Sequence, residues 1–305
     1  MPAGAALAIA SRMVRGELST SRPRAGALLL SMVVTSCGTG SSTPRAVDSS
    51  VGNSTEPPAL EIARAWFVAG ETMEFELSLR GIVGGRAHVV VGEPGIVDDR
   101  HVIIVRSRLE TTGVVALLQT VTEDVITWID VDSGLPIYLR ADHRSRGTKI
   151  VLETRFGRGA PGSFTFDIWS PGIRQRFRQA MPPRRSALDI HAMVAALRAW
   201  DGELDEQAYF YLLAVGRLWR NTIQMIGREH IRTSLGRTAA IRIDGAAREL
   251  SPTLSEHSPQ SVHYTIWFSD DAERRPLLVR CETEQGTARA ELTRYWRSKA
   301  GVAAE

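Results

Sequence analysis

The chain has 305 residues, 43% of them hydrophobic and 23% charged, which excludes extended disorder and supplies enough apolar surface for one or two domains. Its formal charge of +3 lies wholly in the first 36 residues, where Arg12, Arg15, Arg22 and Arg24 outnumber Glu17. Everything from Cys37 onward is therefore neutral, and the global charge gives no support for nucleic-acid binding.

The N-terminus reads as an address. Arg22-Pro23-Arg24 precedes an apolar run over residues 25–34, followed by Thr35-Ser36-Cys37. A basic segment, a short apolar segment and small residues before a cut make a secretory signal. The run is too short to cross a bilayer core of about 30 Å, which takes roughly 20 helical residues. Translation starts at Met1 or at Met13. The stretch Val34-Thr35-Ser36-Cys37 resembles a lipobox, so residues 1–36 are expected to be removed and Cys37 to carry the lipid. Two or three acyl chains at about 0.8 kcal/mol per buried CH₂ make such an anchor effectively permanent. Gly38 is not the aspartate tied to inner-membrane retention, which favours the outer membrane. Residues 37–58, rich in Gly, Ser, Thr and Pro, form a tether, and a β-rich domain spans 59–298.

From residue 74 the main signal is alternation of apolar and polar residues, the pattern of a strand with one face buried. Phe75, Leu77 and Leu79 share one face of the first strand, Gly81, Gly84 and Gly85 supply a turn, and residues 86–91 return. Further strands are expected at 101–111, 120–130, 136–141, 149–156 and 163–169, then at 237–244, 261–269, 277–283 and 287–295. Ser186-Ala187-Leu188-Asp189 looks like a capping box, and Leu188, Met193, Val194 and Leu197 recur at helical spacing up to Trp200. Residues 206–216 fit either a helix or a buried strand. About a dozen short strands and one short helix imply a mainly β fold: curved antiparallel sheet, either an open barrel or two layers, with two halves that could join near residues 186–200.

Several segments in order resemble a bacterial family, the domain of unknown function 3108. They are Gly70-Glu71 with the glycines 81–85, residues 106–113, Trp128-Ile129-Asp130 before Gly134-Leu135-Pro136, residues 186–197, Gly227-Arg228-Glu229 with residues 233–236, and residues 266–270 before Arg275-Pro276-Leu277. The resemblance covers 70–296 and departs from the family at residues 233–236, where a turn proline is absent. It implies an exported β-rich protein and assigns no catalytic residue.

The seven histidines show no metal-ligand spacing, and neither His143 beside Asp142 nor His230 beside Glu229 can act as a pair, because neighbours on a strand point to opposite faces. No nucleophile elbow and no phosphate loop is present. Asp130, Asp132, Asp270 and Asp271 fall where turns are expected. Cys281 reads as a buried small residue. Trp267 and Trp296 would line an apolar groove if they project from the face opposite Ile266 and Leu292. The basic run 174–178 with Arg184 and Arg185 reads as a solvated loop, with contact to anionic lipid as the alternative. No cofactor, metal or catalytic residue is expected. The functional expectation is a non-enzymatic lipoprotein of the cell envelope, held to the membrane by its lipid and binding or scaffolding a lipid, glycan or envelope protein. The rival is an envelope hydrolase whose site is assembled from distant strands.

Overall fold

The computed structural model describes residues 56–62, 66–157, 163–182, 185–214, 216–251, 253–255, 261–283 and 285–298. Cys37, the signal segment and most of the tether lie outside them.

The chain opens with a hairpin of β1 (Glu71–Leu79) and β2 (Ile82–Val91). A short β3 (Gly95–Val97) precedes β4 (Arg100–Thr111), a one-turn helix α1 (Gly113–Leu118) and β5 (Val121–Asp130). The meander continues through β6 (Pro136–Ser145), β7 (Thr148–Phe156), β8 (Phe164–Ser170) and β9 (Ile173–Gln179). After β10 (Ala187–Leu188) comes α2 (Ile190–Ala199), then β11 (Gln207–Ala214) and the long hairpin β12 (Arg217–Thr233) and β13 (Gly236–Leu250). The described strands end with β14 (Val262–Ser269), β15 (Pro276–Thr283) and β16 (Gly286–Arg297).

All of them belong to one sheet in the order β10-β11-β12-β13-β14-β15-β16-β1-β2-β4-β5-β6-β7-β8-β9, with β3 beside β4. Sequential neighbours pair antiparallel, and β10 lies parallel to β11. The step that unites the strands before and after α2 is β1 against β16, so the first and last strands sit in the middle of the sheet. A sheet this wide cannot stay flat, since the right-handed twist of each strand accumulates across it.

The inward residues explain the curl. Val91, Ile103, Val105 and Ile129 from the early strands share one core with Leu212, Ile223, Ile243, Phe268 and Cys281 from the late ones. Helix α2 lies inside that core and buries His191, Ala192, Met193, Ala195, Ala196, Leu197 and Arg198. Its three buried alanines let the backbone approach the sheet closely. At the two sheet ends, Phe164 of β8 packs with Ala187, Leu213, Leu218 and Leu250, so side chains approximate the closure that no backbone ladder makes. Arg174, Arg176 and Arg178 alternate along the terminal strand β9, where charge discourages pairing with another chain.

The mainly β, antiparallel, open-barrel expectation holds, four local expectations change, and the open choice at residues 206–216 is resolved as a strand. Ser186 does not begin the helix: Asp189 does, accepting from the backbone N–H groups of His191 and Ala192 and leaving Ala187 and Leu188 to pair with β11. Residues 207–214 are a strand rather than a helix. Strand β12 escaped notice because its inward row contains the polar Asn221, which accepts from the Tyr264 hydroxyl at 3.2 Å. The run 174–178 is β9 rather than a loop, with Arg176 paired to Asp167. The first hairpin turns on Arg80 and Gly81 alone, both left-handed (φ 52° and 79°), and Gly84 and Gly85 belong to β2.

The C-terminal end of α2 is fixed by an ion pair. Arg198 donates to both oxygens of Glu71 (2.5 and 3.1 Å), each side chain is fully buried, and a further N–H reaches the Glu273 carbonyl at 2.6 Å. Tyr295 adds its hydroxyl to Glu71 at 3.3 Å. Burial, followed by the charge of Glu71, pushes the Tyr295 phenol up to about 12. Removing one member of such a pair strands the other in the interior. Arg198→Met is therefore expected to lower stability by about 3–5 kcal/mol, and Glu71→Leu combined with it to recover most of that loss, as read by urea denaturation. A loss within experimental error for the single variant would contradict the assignment.

Candidate functional site

Two places carry chemistry. The first is a polar chain around the start of α2. Ser107 of β4 and Thr127 of β5 face inward, since their strand neighbours Val105 and Ile129 belong to the core. His191 bridges them, its Nε2 2.9 Å from Ser107 Oγ and its Nδ1 2.8 Å from Thr127 Oγ1. Thr127 donates to Asp189 Oδ2 at 2.5 Å, and Asp189 Oδ2 stands 3.7 Å from His191 Nδ1. Because the threonine proton goes to Asp189, Thr127 Oγ1 accepts from Nδ1–H, and Nε2 is left to accept from the Ser107 hydroxyl. Desolvation holds the His191 imidazole below its ordinary 6.5, and the charge of Asp189 only partly opposes this.

The order Ser–His–Thr–Asp has the outline of an activated hydroxyl, a neutral base and an orienting acid. Ser107 is 6% exposed, His191 5% and Asp189 0%. Every polar atom named has a partner within the chain, and α2 itself covers the serine. The arrangement therefore fixes the N-terminal end of α2 as the Glu71–Arg198 pair fixes the other. The sequence signal was faint: Asp189 stood in a capping pattern, while Ser107 and Thr127 were ordinary strand residues.

The second place is one end of the barrel, where the β1–β2 turn, α1 and the β6–β7 turn meet. Thr112 N–H donates to the Gly84 carbonyl at 3.0 Å, and Gln119 Nε2 donates to Ser145 Oγ at 3.0 Å. A Cβ on Gly84 would stand 2.8 Å from Val115 Cγ2, so only glycine lets α1 seat against β2. Ile82 (66%), Val114 (70%), Leu117 (86%) and Leu118 (74%) are exposed there. Between α1 and the β6–β7 turn lies an open cleft of about 520 Å³, lined by Leu117, Leu118, Thr122, Arg144, Ser145 and Arg146 among others.

The residues singled out in the sequence do not converge. His143 stands opposite Glu123 across β5–β6, whereas Asp142 binds Arg140 and Lys149 on the other face. His230 is exposed, and its neighbour Glu229 accepts from Trp267 Nε1 at 2.6 Å. Trp267 is 6% exposed beneath the guanidinium groups of Arg242 and Arg280, so it and Trp296 form no open groove. Asp130 accepts from Ser133 N–H, and Asp271 accepts from the N–H groups of Glu273 and Arg274; both serve turns. Cys281 is buried in the core. Among the described residues no cluster of His, Cys, Asp and Glu could hold a metal ion, and no helix is long and apolar enough to cross a membrane.

An open antiparallel sheet curled over one helix is a β-barrel-like architecture, and a solved structure resembles it. A β-barrel-like protein of the domain of unknown function DUF1849 from Brucella abortus matches 76% of this chain and 100% of its own, with a TM-score of 0.51 at 9% identity. A Bacteroides fragilis structure described as an exported protein with a YmcC-like fold matches at 7% identity over 77% of this chain and 100% of its own, with a TM-score of 0.35. A Parabacteroides distasonis structure described as a lipoprotein does so at 9% identity over 77% and 99%, also with a TM-score of 0.35. The first likeness is one of fold, and the other two carry no argument. No curated protein matches the chain. The family model for DUF3108, a protein of unknown function, matches residues 74–293, and the chain belongs to that family.

His191 provides a stability test. With its native pKa below 6.5, the unfolded chain binds the extra proton, so this contribution is complete above about pH 6.5 and is lost as pH falls, by up to about 1.4 kcal/mol per unit. His191→Gln should be less stable than the parent at about pH 7.5 and should lose less stability on acidification to about pH 5, as measured by urea midpoints. An identical pH slope in both proteins would show that His191 is not held neutral.

Proposed function

We propose that this protein is an exported lipoprotein, anchored through Cys37, whose barrel is a non-catalytic scaffold that binds a lipid, glycan or protein of the cell envelope by its outer surface. The observation that carries this reading is α2. It fills the concave face where a barrel of this kind would hold a ligand, and both its ends are tied by buried polar groups. Binding is then confined to the outside. The wall there carries many ion pairs, among them Arg140–Glu153 and Arg176–Asp167, while Ile82, Val83, Val114, Leu117 and Leu118 form an exposed apolar group at one end.

The hydrolase reading has one observation behind it, the Ser107–His191 contact. What weighs against it is the cover over Ser107: a nucleophile must meet its substrate, and α2 stands in the way. A fluorophosphonate probe, which labels activated serines, should leave Ser107 of the mature protein unmodified. Labelling at Ser107 that disappears in His191→Gln would replace the scaffold with a hydrolase. The anchor has a separate test. Cys37→Ala should abolish incorporation of labelled palmitate, and label retained in that variant would contradict lipidation at this residue.

A further inference from the structure

We propose that the apolar end of the barrel enters the surface of an anionic membrane, with Leu117 and Leu118 in the acyl region and Arg144 and Arg146 on lipid phosphates. This rests on the reading of a membrane-anchored protein and names the surface that the barrel itself touches.

The case begins with α1. All six of its residues are Gly, Val, Ala or Leu, and none is buried. A helix that packs on a protein core has an apolar stripe and a polar face; here Val114, Leu117 and Leu118 are all exposed to water. Ile82 and Val83 extend the patch from the adjoining start of β2. By contrast Ile96, Ile104, Leu204, Leu235 and Trp296 are exposed on five different segments away from this end. Contiguous apolar residues on the surface mark a site of contact.

The charges around the patch indicate what it contacts. Along the strands many arginines pair with acids: Arg140 reaches Asp142 and Glu153, and Arg108 reaches Asp124. Arginines without a carboxylate partner also occur elsewhere, Arg232 and Arg237 beside Leu235 among them, but at the tip three of them border a contiguous apolar patch. Among the described residues, Arg80, Arg144 and Arg146 have no carboxylate within ion-pair distance. Arg80 donates to the Gln285 carbonyl. Two of the three occupy strained backbone, Arg80 at φ 52° and Arg146 at φ 49°, each the first residue of a two-residue turn closed by glycine. Asn, Asp or Gly would relax such a turn, so the charge is held there against a local preference.

Apolar side chains ringed by unpaired arginines suit an interface whose interior is hydrocarbon and whose border is phosphate. The cleft between Leu118 and Arg144 has both characters within one site. Each arginine near an anionic surface strengthens attachment by roughly fivefold, and this gain weakens with salt. A protein partner would meet the same leucines without needing unpaired guanidinium groups on their rim.

The test uses the acylated protein reconstituted into vesicles of phosphatidylglycerol and phosphatidylethanolamine, or of phosphatidylcholine alone. An environment-sensitive dye is placed by Leu117→Cys, and in a second sample by Ile96→Cys at the far end. The dye at 117 should emit to the blue and be quenched by brominated acyl chains several-fold more than the dye at 96. Both signals should fall in phosphatidylcholine and in Arg144→Gln/Arg146→Gln. These sites are exposed, so unchanged thermal unfolding confirms that the variants fold. A chain that floats with the vesicles while both dyes stay aqueous overturns the tip and leaves the anchor standing. Equal burial at 117 in both lipids, or in the arginine variant, overturns the phosphate contacts. A chain that fails to float overturns the anchor and the tip together.

Discussion

A wide curled sheet has one concave apolar face, and in this protein the cover for it is a single ten-residue helix. The packing of α2 against β4, β5 and β11–β15 is the contact on which the rest depends. Without it Ile103, Ile129, Ile243 and Phe268 would face water, and the sheet would have no reason to curl. The hydrophobic effect drives such burial but does not fix direction. Direction comes from polar groups at both ends: Asp189, Thr127, His191 and Ser107 at the start, and Arg198 with Glu71 at the finish. Buried polar groups of this kind cost stability unless all their partners are in place, which limits the helix to one seating.

The same arrangement decides how the Ser–His–Thr–Asp chain is read. Geometry within hydrogen-bond reach is necessary for catalysis, yet it also arises wherever a buried histidine must satisfy two ring nitrogens. Here the neutral imidazole, the fully engaged Asp189 and the covered Ser107 are what a structural clasp requires. The chemistry a partner would meet is on the outside. Many outer charges are matched across neighbouring strands, and the end that carries α1 adds three arginines beside a contiguous apolar patch.

The alternation in β1, β4, β13 and β16 could be read directly from the sequence because one face of each strand is buried and the other is more exposed. The helix could be read from its spacing, although its start lay at Asp189 and not at Ser186. What escaped had a physical cause in each case. Asn221 broke the inward row of β12, the arginines of β9 gave that strand a loop's composition, and α1 was too short for a period to show. The clasp around His191 joins residues 107, 127, 189 and 191 across sequence separations of up to 84, and pairing register alone brings them together. The tip was hidden for a similar reason: its leucines and arginines come from three different connections.

Native-state hydrogen exchange on α2 tests the account most directly. If α2 is the fixed centre of the barrel, its amides from Met193 to Leu197 exchange only through global unfolding, at the same free energy as the long strands β12 and β13. Exchange of those amides within seconds, while β12 and β13 remain protected, would make α2 a removable lid. It would also reopen the interior, with Ser107 and His191 in it, as the site of function.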